Sequence, residues 1–376
     1  MRGASAPDPD EEGRTKLSHY TLLRFLGSGR FAEVAAYRSE AFGSVAMKMC
    51  SRESHLQGVS KSAVQELRVL QELQHPNVLR LLDAFAFGDR LHMVLELCDF
   101  SLKDLVDARV ALPEGAVKSI MQQLFSGLAH VHARRYMHRD IKTENILVAG
   151  GGVCKLADFG AAAPTMSALG EGRAAPRALF PGVVTLWYRA PELLMRAGTH
   201  GPAVDAWSMG CVLAELVLGQ VIFRGGPRVE GSAASEEEGQ LAAIARLLGA
   251  PCDPSTDAAG ARRALAAAGL RQGDVDALAL PSGEARLRGL SAPLPLWPGC
   301  SALPGCPTFP EGGCTPQAWR GMHAALQAVT SPCVDLLSRL LVWDPALRLT
   351  AEEALAHPWF SAQPPPCQPR DLPRPS

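Results

Sequence analysis

Within the eight residues His138-Arg139-Asp140-Ile141-Lys142-Thr143-Glu144-Asn145 stand an aspartate, a lysine and an asparagine. A second aspartate follows thirteen residues past Asn145, in Asp158-Phe159-Gly160. Phosphoryl transfer needs such a set: one carboxylate takes a hydroxyl proton, a cation neutralises the moving phosphate, and two oxygen donors hold a divalent metal. Asp140 is the candidate base and Lys142 the candidate cation. Asn145 and Asp158 are the candidate magnesium ligands, because Mg²⁺ keeps phosphate oxygens and water and needs few protein carboxylates. Gly160 gives the backbone freedom to turn the Asp158 carboxylate. Taken alone, Asp140 reads equally well as a surface or capping aspartate.

Two stretches nearer the N-terminus add weight. Leu26-Gly27-Ser28-Gly29-Arg30-Phe31-Ala32-Glu33-Val34 lies between strand-like runs. A glycine-rich hairpin brings backbone N–H groups close to phosphates, although by itself it marks only a turn. Val45-Ala46-Met47-Lys48 follows on the next strand. An isolated strand lysine is ordinarily solvated. Here Glu66, on the following helix, offers a partner that would hold the Lys48 ammonium against the α- and β-phosphates of ATP.

These residues need a frame. Residues 1 to about 18 are polar, with Pro7-Asp8-Pro9-Asp10-Glu11-Glu12, and read as a disordered leader. Tyr20–Leu26, Val34–Arg38, Ser44–Met49, Val78–Phe85 and Leu91–Leu97 read as strands. Val64, Leu67, Val69, Leu70 and Leu73 repeat at helical spacing between them. Beyond Ser101 the periods turn helical: Lys118–His132, Val204–Leu218, Ser331–Leu341 and Ala351–Ala356. The expected class is α+β and bilobal: a small, mostly antiparallel N-lobe sheet with one main helix (19–97) and a larger helical C-lobe (98–361). Two inserts interrupt the second lobe. Residues 225–238 read as a solvated loop, and residues 252–327 are rich in Ala, Gly and Pro. A Pro-rich tail, 362–376, reads as extended.

Composition narrows the classes. The chain has 376 residues, 47% of them hydrophobic, and a formal net charge of −1. That balance gives no electrostatic reason to expect nucleic acid or a membrane surface as partner, and no apolar run approaches the ~18 residues of a membrane span. The ten cysteines form no Cys-x-x-Cys pair. Without a signal peptide they read as free thiols, and the cytoplasm, the nucleus or both is the expected location. Cys300, Cys306 and Cys314 lie close together, but their spacing fits no common zinc site.

Taken in order, the four motifs resemble the eukaryotic protein kinases over about residues 19–361. The resemblance implies ATP and Mg²⁺ as cofactors and protein substrates as partners. It places adenine between Val34 and Ala46 above and Leu147 below. The nucleotide is then bounded by Leu26, Gly27 and Gly29 and bonded by the backbone of Glu96 and Cys98, behind Leu95. Lys142 is similar to the serine/threonine branch. Ala190-Pro191-Glu192 resembles the end of the activation segment, whose Glu192 is expected to pair with Arg348. Asp205 resembles the buried aspartate that holds the catalytic-loop backbone, with Arg139 a further structural residue.

Within the kinases, Val183-Val184-Thr185-Leu186-Trp187-Tyr188-Arg189 is similar to the cyclin-dependent kinases and their nearest relatives, and the tail faintly resembles the cell-cycle-related kinases. By that resemblance Val183, Val184 and Arg189 shape a pocket for proline after the target residue. The helix spanning Gly58–Leu70 aligns with the cyclin-binding helix but keeps its spacing rather than its chemistry. A divergent cyclin, another activating subunit and no activator all remain open. The loop threonine phosphorylated in the family aligns with Phe180, and two of its three arginine anchors align with Gln65 and Ala163. Only Arg139 persists, so the loop is expected to order without that phosphate, with Phe180 as an apolar plug. The group's inhibitory Thr-Tyr pair aligns with Arg30-Phe31. Ala32 and Thr143 stand where the group commonly has Gly and Pro. The expected activity is a Ser/Thr kinase directed to Ser/Thr-Pro. The rival is a pseudokinase scaffold, which the survival of Lys48, Asp140 and Asp158 disfavours.

Overall fold

A computed structural model describes residues 9–29, 32–50, 60–165, 186–225, 235–251, 297, 299–307 and 329–375. The N-lobe is built on one sheet of five strands: β1 (Tyr20–Ser28), β2 (Ala32–Ser39), β3 (Gly43–Cys50), β4 (Leu81–Phe87) and β5 (Arg90–Glu96), in the order β1-β2-β3-β5-β4. Every pairing in it is antiparallel. Lys48 sits in the middle strand, opposite Val34 of β2 and Met93 of β5. Val78, expected to begin β4, instead bridges Leu156 of the C-lobe.

The leader departs from expectation. Pro9–Ser18 forms a helix, α1, packed on β4 rather than a disordered segment. Gly13 explains the fit: a Cβ there would collide with the Ala86 carbonyl. Leu17 packs with Tyr20 and Phe87 against Val45, Met47, Phe85 and Val94. One glycine and one leucine among polar residues give too weak a period to read.

The main N-lobe helix, α2, covers Lys61–Glu72. It starts later than the expected Gly58 because Ser60 is its N-cap, accepting from the Ala63 N–H at 3.1 Å. Gly58 itself lies outside the described residues. The buried face of α2 is Ala63, Glu66, Val69 and Leu70. One carboxylate in an apolar stripe demands an internal partner.

The C-lobe carries α3 (Leu102–Asp107), α4 (Glu114–Ala133), α5 (Pro191–Leu194), α6 (Ala203–Leu218), α7 (Glu236–Leu248), α8 (Ser331–Leu340) and α9 (Ala351–Leu355). Short strands β6 (Phe100–Ser101), β7 (Tyr136–Met137), β8 (Ile146–Ala149), β9 (Val153–Leu156) and β10 (Ala163–Pro164) form sheets β6-β8-β9 and β10-β7. Helix α6 is buried from Val204 to Leu216, as its apolar circumference requires. The last part of the 225–238 insert is helical rather than loop. Ser235 and Glu238 form a capping box that starts α7, a Ser-x-x-Glu signal present in the sequence. Most of the 252–327 insert lies outside the described residues.

One apolar cluster crosses both lobes, from Ala46 and Leu95 to Trp207 and Trp359. The tail is docked on it, with Leu372 buried. The Lys118 ammonium, fully buried, donates to the Ala362 and Pro364 carbonyls at 2.8 and 2.7 Å. The Cys367 N–H donates to the Gly115 carbonyl at 2.9 Å. At Gly152 a Cβ would collide with the Pro369 carbonyl.

Candidate active site

Three groups from three elements meet at the cleft. Lys48 Nζ of β3 lies 2.6 and 2.8 Å from the Glu66 carboxylate oxygens of α2, and 3.3 Å from Asp158 Oδ1. Burial works against the Lys48 charge, but Glu66 and Asp158 outweigh it and hold the ammonium protonated. Burial likewise works against the Asp158 carboxylate, and Lys48 again prevails, leaving its pKa below the ordinary value. Asp158 has left-handed backbone, φ 61°, which aspartate tolerates. The turn freedom expected of Gly160 is therefore supplied by Asp158. Gly160 instead lies against α2, where a Cβ would require the Ser62 hydroxyl to turn away. Phe159 is fully buried, its ring centroid 4.6 Å from that of His138.

The catalytic loop is held from below by Asp205 of α6. Its carboxylate accepts from the His138 and Arg139 N–H groups at 2.8 and 2.7 Å, and from His132 Nε2 at 2.9 Å. Burial raises the Asp205 pKa, yet the His132 bond and the Arg139 N–H outweigh it, so the group stays ionised. Arg139, also left-handed at φ 65°, donates from Nε to the Ala161 carbonyl at 2.8 Å. Above this base, Asp140 Oδ2 lies 2.9 Å from both Lys142 Nζ and Asn145 Nδ2.

The donor set fits magnesium. The Asn145 amide nitrogen is committed to Asp140, at its carboxylate and at its carbonyl (2.8 Å). That leaves Asn145 Oδ1 and Asp158 Oδ2 as oxygens with no hydrogen bond among the described residues. One neutral and one anionic oxygen make a hard-donor pair suited to Mg²⁺ beside phosphate. Asn145 and Asp158 are the residues that would hold it.

Several of the residues expected around adenine border the shared core. Ala46 and Leu95 are buried in the shared core, with Val34, Leu147 and Cys98 packed against it. Leu26 is exposed at the rim. Gly27 and Gly29 are present at the end of β1, while Arg30 and Phe31 lie outside the described residues. The Cys98 backbone makes no hydrogen bond among the described residues, leaving it available to a base edge. Glu96 is anchored from behind: Lys155 Nζ lies 2.8 Å and the Arg80 N–H 2.7 Å from its Oε1. On the peptide side, Arg189 is half-buried near Glu237 and Asp140. Val183, Val184 and Phe180 lie outside the described residues. Glu192 and Arg348 form the expected pair, bidentate at 2.7 and 3.0 Å and buried.

Sequence reasoning missed the third donor to Asp205, the Lys155–Glu96 anchor, and a link between Thr143, Tyr188 and Glu215. Only Thr143 carried a signal, as a departure from the family pattern. A histidine and a lysine on separate elements carry none until the fold brings them together.

An ion pair from sheet to helix, an aspartate beside it and a loop hung on a buried aspartate are the arrangement of a protein kinase. The protein kinase domain matches residues 20–360, and the chain belongs to that family. It is 33% identical over 354 residues to the Cell division control protein 2 homolog 3 of Trypanosoma brucei brucei, covering 93% of this chain and 94% of that protein. It is 30% identical over 366 residues to the Cyclin-dependent kinase 7 of Dictyostelium discoideum, covering 96% and 84%. Against the Cyclin-dependent kinase 7 of Xenopus laevis it is 31% identical over 382 aligned positions, covering all of this chain and 90% of that protein. The chain is thus a kinase of the cyclin-dependent-like group.

Proposed function

We propose that this kinase transfers the γ-phosphate of ATP, with magnesium, to Ser or Thr in proteins, with proline favoured after the target. The observation that carries it is the Lys48–Glu66 pair, formed with Asp158 beside it and Asp140, Lys142 and Asn145 on one loop. In this reading Asp140 orients the acceptor hydroxyl and takes its proton. Lys142, 2.9 Å from Asp140, neutralises charge where the phosphate moves. Lys48 grips the nucleotide phosphates, and bound magnesium would supply electrostatic stabilisation of those oxygens. Lys142 supports the Ser/Thr assignment; the proline preference rests on Val183, Val184 and Arg189 by resemblance.

An activating subunit, cyclin or other, would meet the outer face of α2, where Val64 is 51% exposed. The names of the relatives support a cyclin-type partner. Because Phe180 replaces the loop threonine, activity without a loop phosphate is the expected behaviour. The test is transfer from labelled ATP to degenerate peptides by wild type, Asp140→Asn and Asp158→Asn. The reading expects label on Ser/Thr-Pro from wild type alone. Equal labelling by the variants, or no proline preference, would defeat it.

A further inference from the structure

We propose that Thr143 is a positioning residue, its hydroxyl tying the metal-binding turn of the catalytic loop to the peptide-side residue Tyr188. The inference rests on the phosphoryl-transfer reading above and goes beyond it.

Thr143 is fully buried and opens the single turn Thr143–Asn145. It stands three residues after Asp140 and two before Asn145. A buried hydroxyl needs a partner, because an unpaired one carries a desolvation penalty. Thr143 Oγ1 lies 3.2 Å from the Tyr188 hydroxyl, which lies 2.5 Å from Glu215 Oε2. Glu215 projects from α6 and is 1% exposed. Burial, and then the Glu215 charge, push the Tyr188 phenol far above its ordinary pKa, so it keeps its proton. With that proton directed at Glu215, the Thr143 hydroxyl is placed to donate into the Tyr188–Glu215 pair, whose carboxyl burial pushes above its ordinary pKa and which Thr143 also meets.

Tyr188 is held at its other end too. Its carbonyl accepts from Ser208 Oγ of α6 at 2.8 Å. It is therefore a fixed post on the central helix, next to Arg189 on the peptide side. Thr143 hangs on that post, and its own carbonyl accepts the Ile146 N–H, closing the turn around Asn145. One hydroxyl thus connects the peptide side to the amide that bonds Asp140 and offers Oδ1 to a metal. The related group commonly has proline here. Proline has no hydroxyl and could not make this connection.

The test is steady-state kinetics of the full chain with a peptide substrate and varied magnesium, with thermal midpoints measured alongside. Thr143→Val keeps the shape and removes the donor. It is expected to lower kcat about tenfold, the scale of one lost hydrogen bond, and to raise the magnesium needed for half-maximal rate. Thr143→Ser should restore both. Tyr188→Phe removes the same bond from the other side, and Thr143→Val added to it should cost less than Thr143→Val alone. Unchanged kcat and magnesium response in Thr143→Val, failure of Thr143→Ser to rescue, or additive losses in the double variant would each overturn the inference. Wild type inactive both alone and with a cyclin-type subunit added would overturn the parent reading and this inference with it. Active wild type with an indifferent Thr143→Val overturns this inference alone.

Discussion

Lys48 Nζ lies 2.6 Å from Glu66 Oε2, joining the central strand of the N-lobe to its helix. The pair does two jobs that mutation can separate. It fixes the ammonium that grips phosphate, and it compensates a carboxylate that is otherwise buried. Lys48→Met should lower kcat/KM by roughly 10²–10³-fold, the scale of one preorganised electrostatic contact. It should also lower the thermal midpoint by stranding Glu66. Adding Glu66→Leu should recover stability and no activity. Recovery of both in the double variant would show that the pair is structural only.

Asp205 predicts a pH dependence with a definite sign. Its folded pKa lies below the ordinary value. Its stabilising contribution is therefore complete above the unfolded pKa of about 3.9 and is lost as pH falls through the lowered folded value. Asp205→Asn removes the charge but not the shape. Denaturant unfolding should show a constant deficit for Asp205→Asn from about pH 5 upward, shrinking below about pH 4. A deficit that stays flat into acid would mean that the carboxylate charge does not hold the loop.

These cases show what the sequence could carry. Lys48, Glu66, Asp140, Asn145 and Asp158 were legible because phosphoryl transfer restricts residue type and order. The strands around Lys48 were legible because they are short apolar runs bounded by turn residues. Helix α1 was not, since its docking rests on Gly13 fitting against a backbone carbonyl of β4. The left-handed backbone at Asp158 was hidden for a similar reason: it is set by the loop's tertiary contacts rather than by the local run. His132 could not be assigned to Asp205 because the bond joins α4 to α6, and helical periodicity says nothing about which histidine faces which helix.

The buried Glu192–Arg348 pair predicts a coupling. Arg348 also donates to the carbonyls of Val342, Ala203 and Trp343, so every donor on its fork is in use. Arg348→Leu leaves the Glu192 carboxylate buried alone and should cost about 3–5 kcal/mol. Glu192→Leu combined with Arg348→Leu should cost less than Arg348→Leu alone. A double variant as unstable as the sum of the singles would show that the two charges do not act on each other.

The tail offers a test of whether it belongs to the domain. Lys118 is fully buried on α4, and two of its three N–H donors end on the carbonyls of Ala362 and Pro364. Glu114 Oε1, 3.7 Å away, is already engaged by Thr330 and Trp359. Ending the chain at Ser361 removes both carbonyls and leaves the ammonium underbonded, at a cost on the order of 1–3 kcal/mol per lost charged contact. The thermal midpoint should fall. Lys118→Met in the shortened chain should restore part of the loss, because the buried charge no longer has acceptors to satisfy. In the full chain the same substitution should be destabilising, since it strands the two carbonyls. Equal midpoints for the full and shortened chains would mean that the tail lies on the C-lobe without stabilising it.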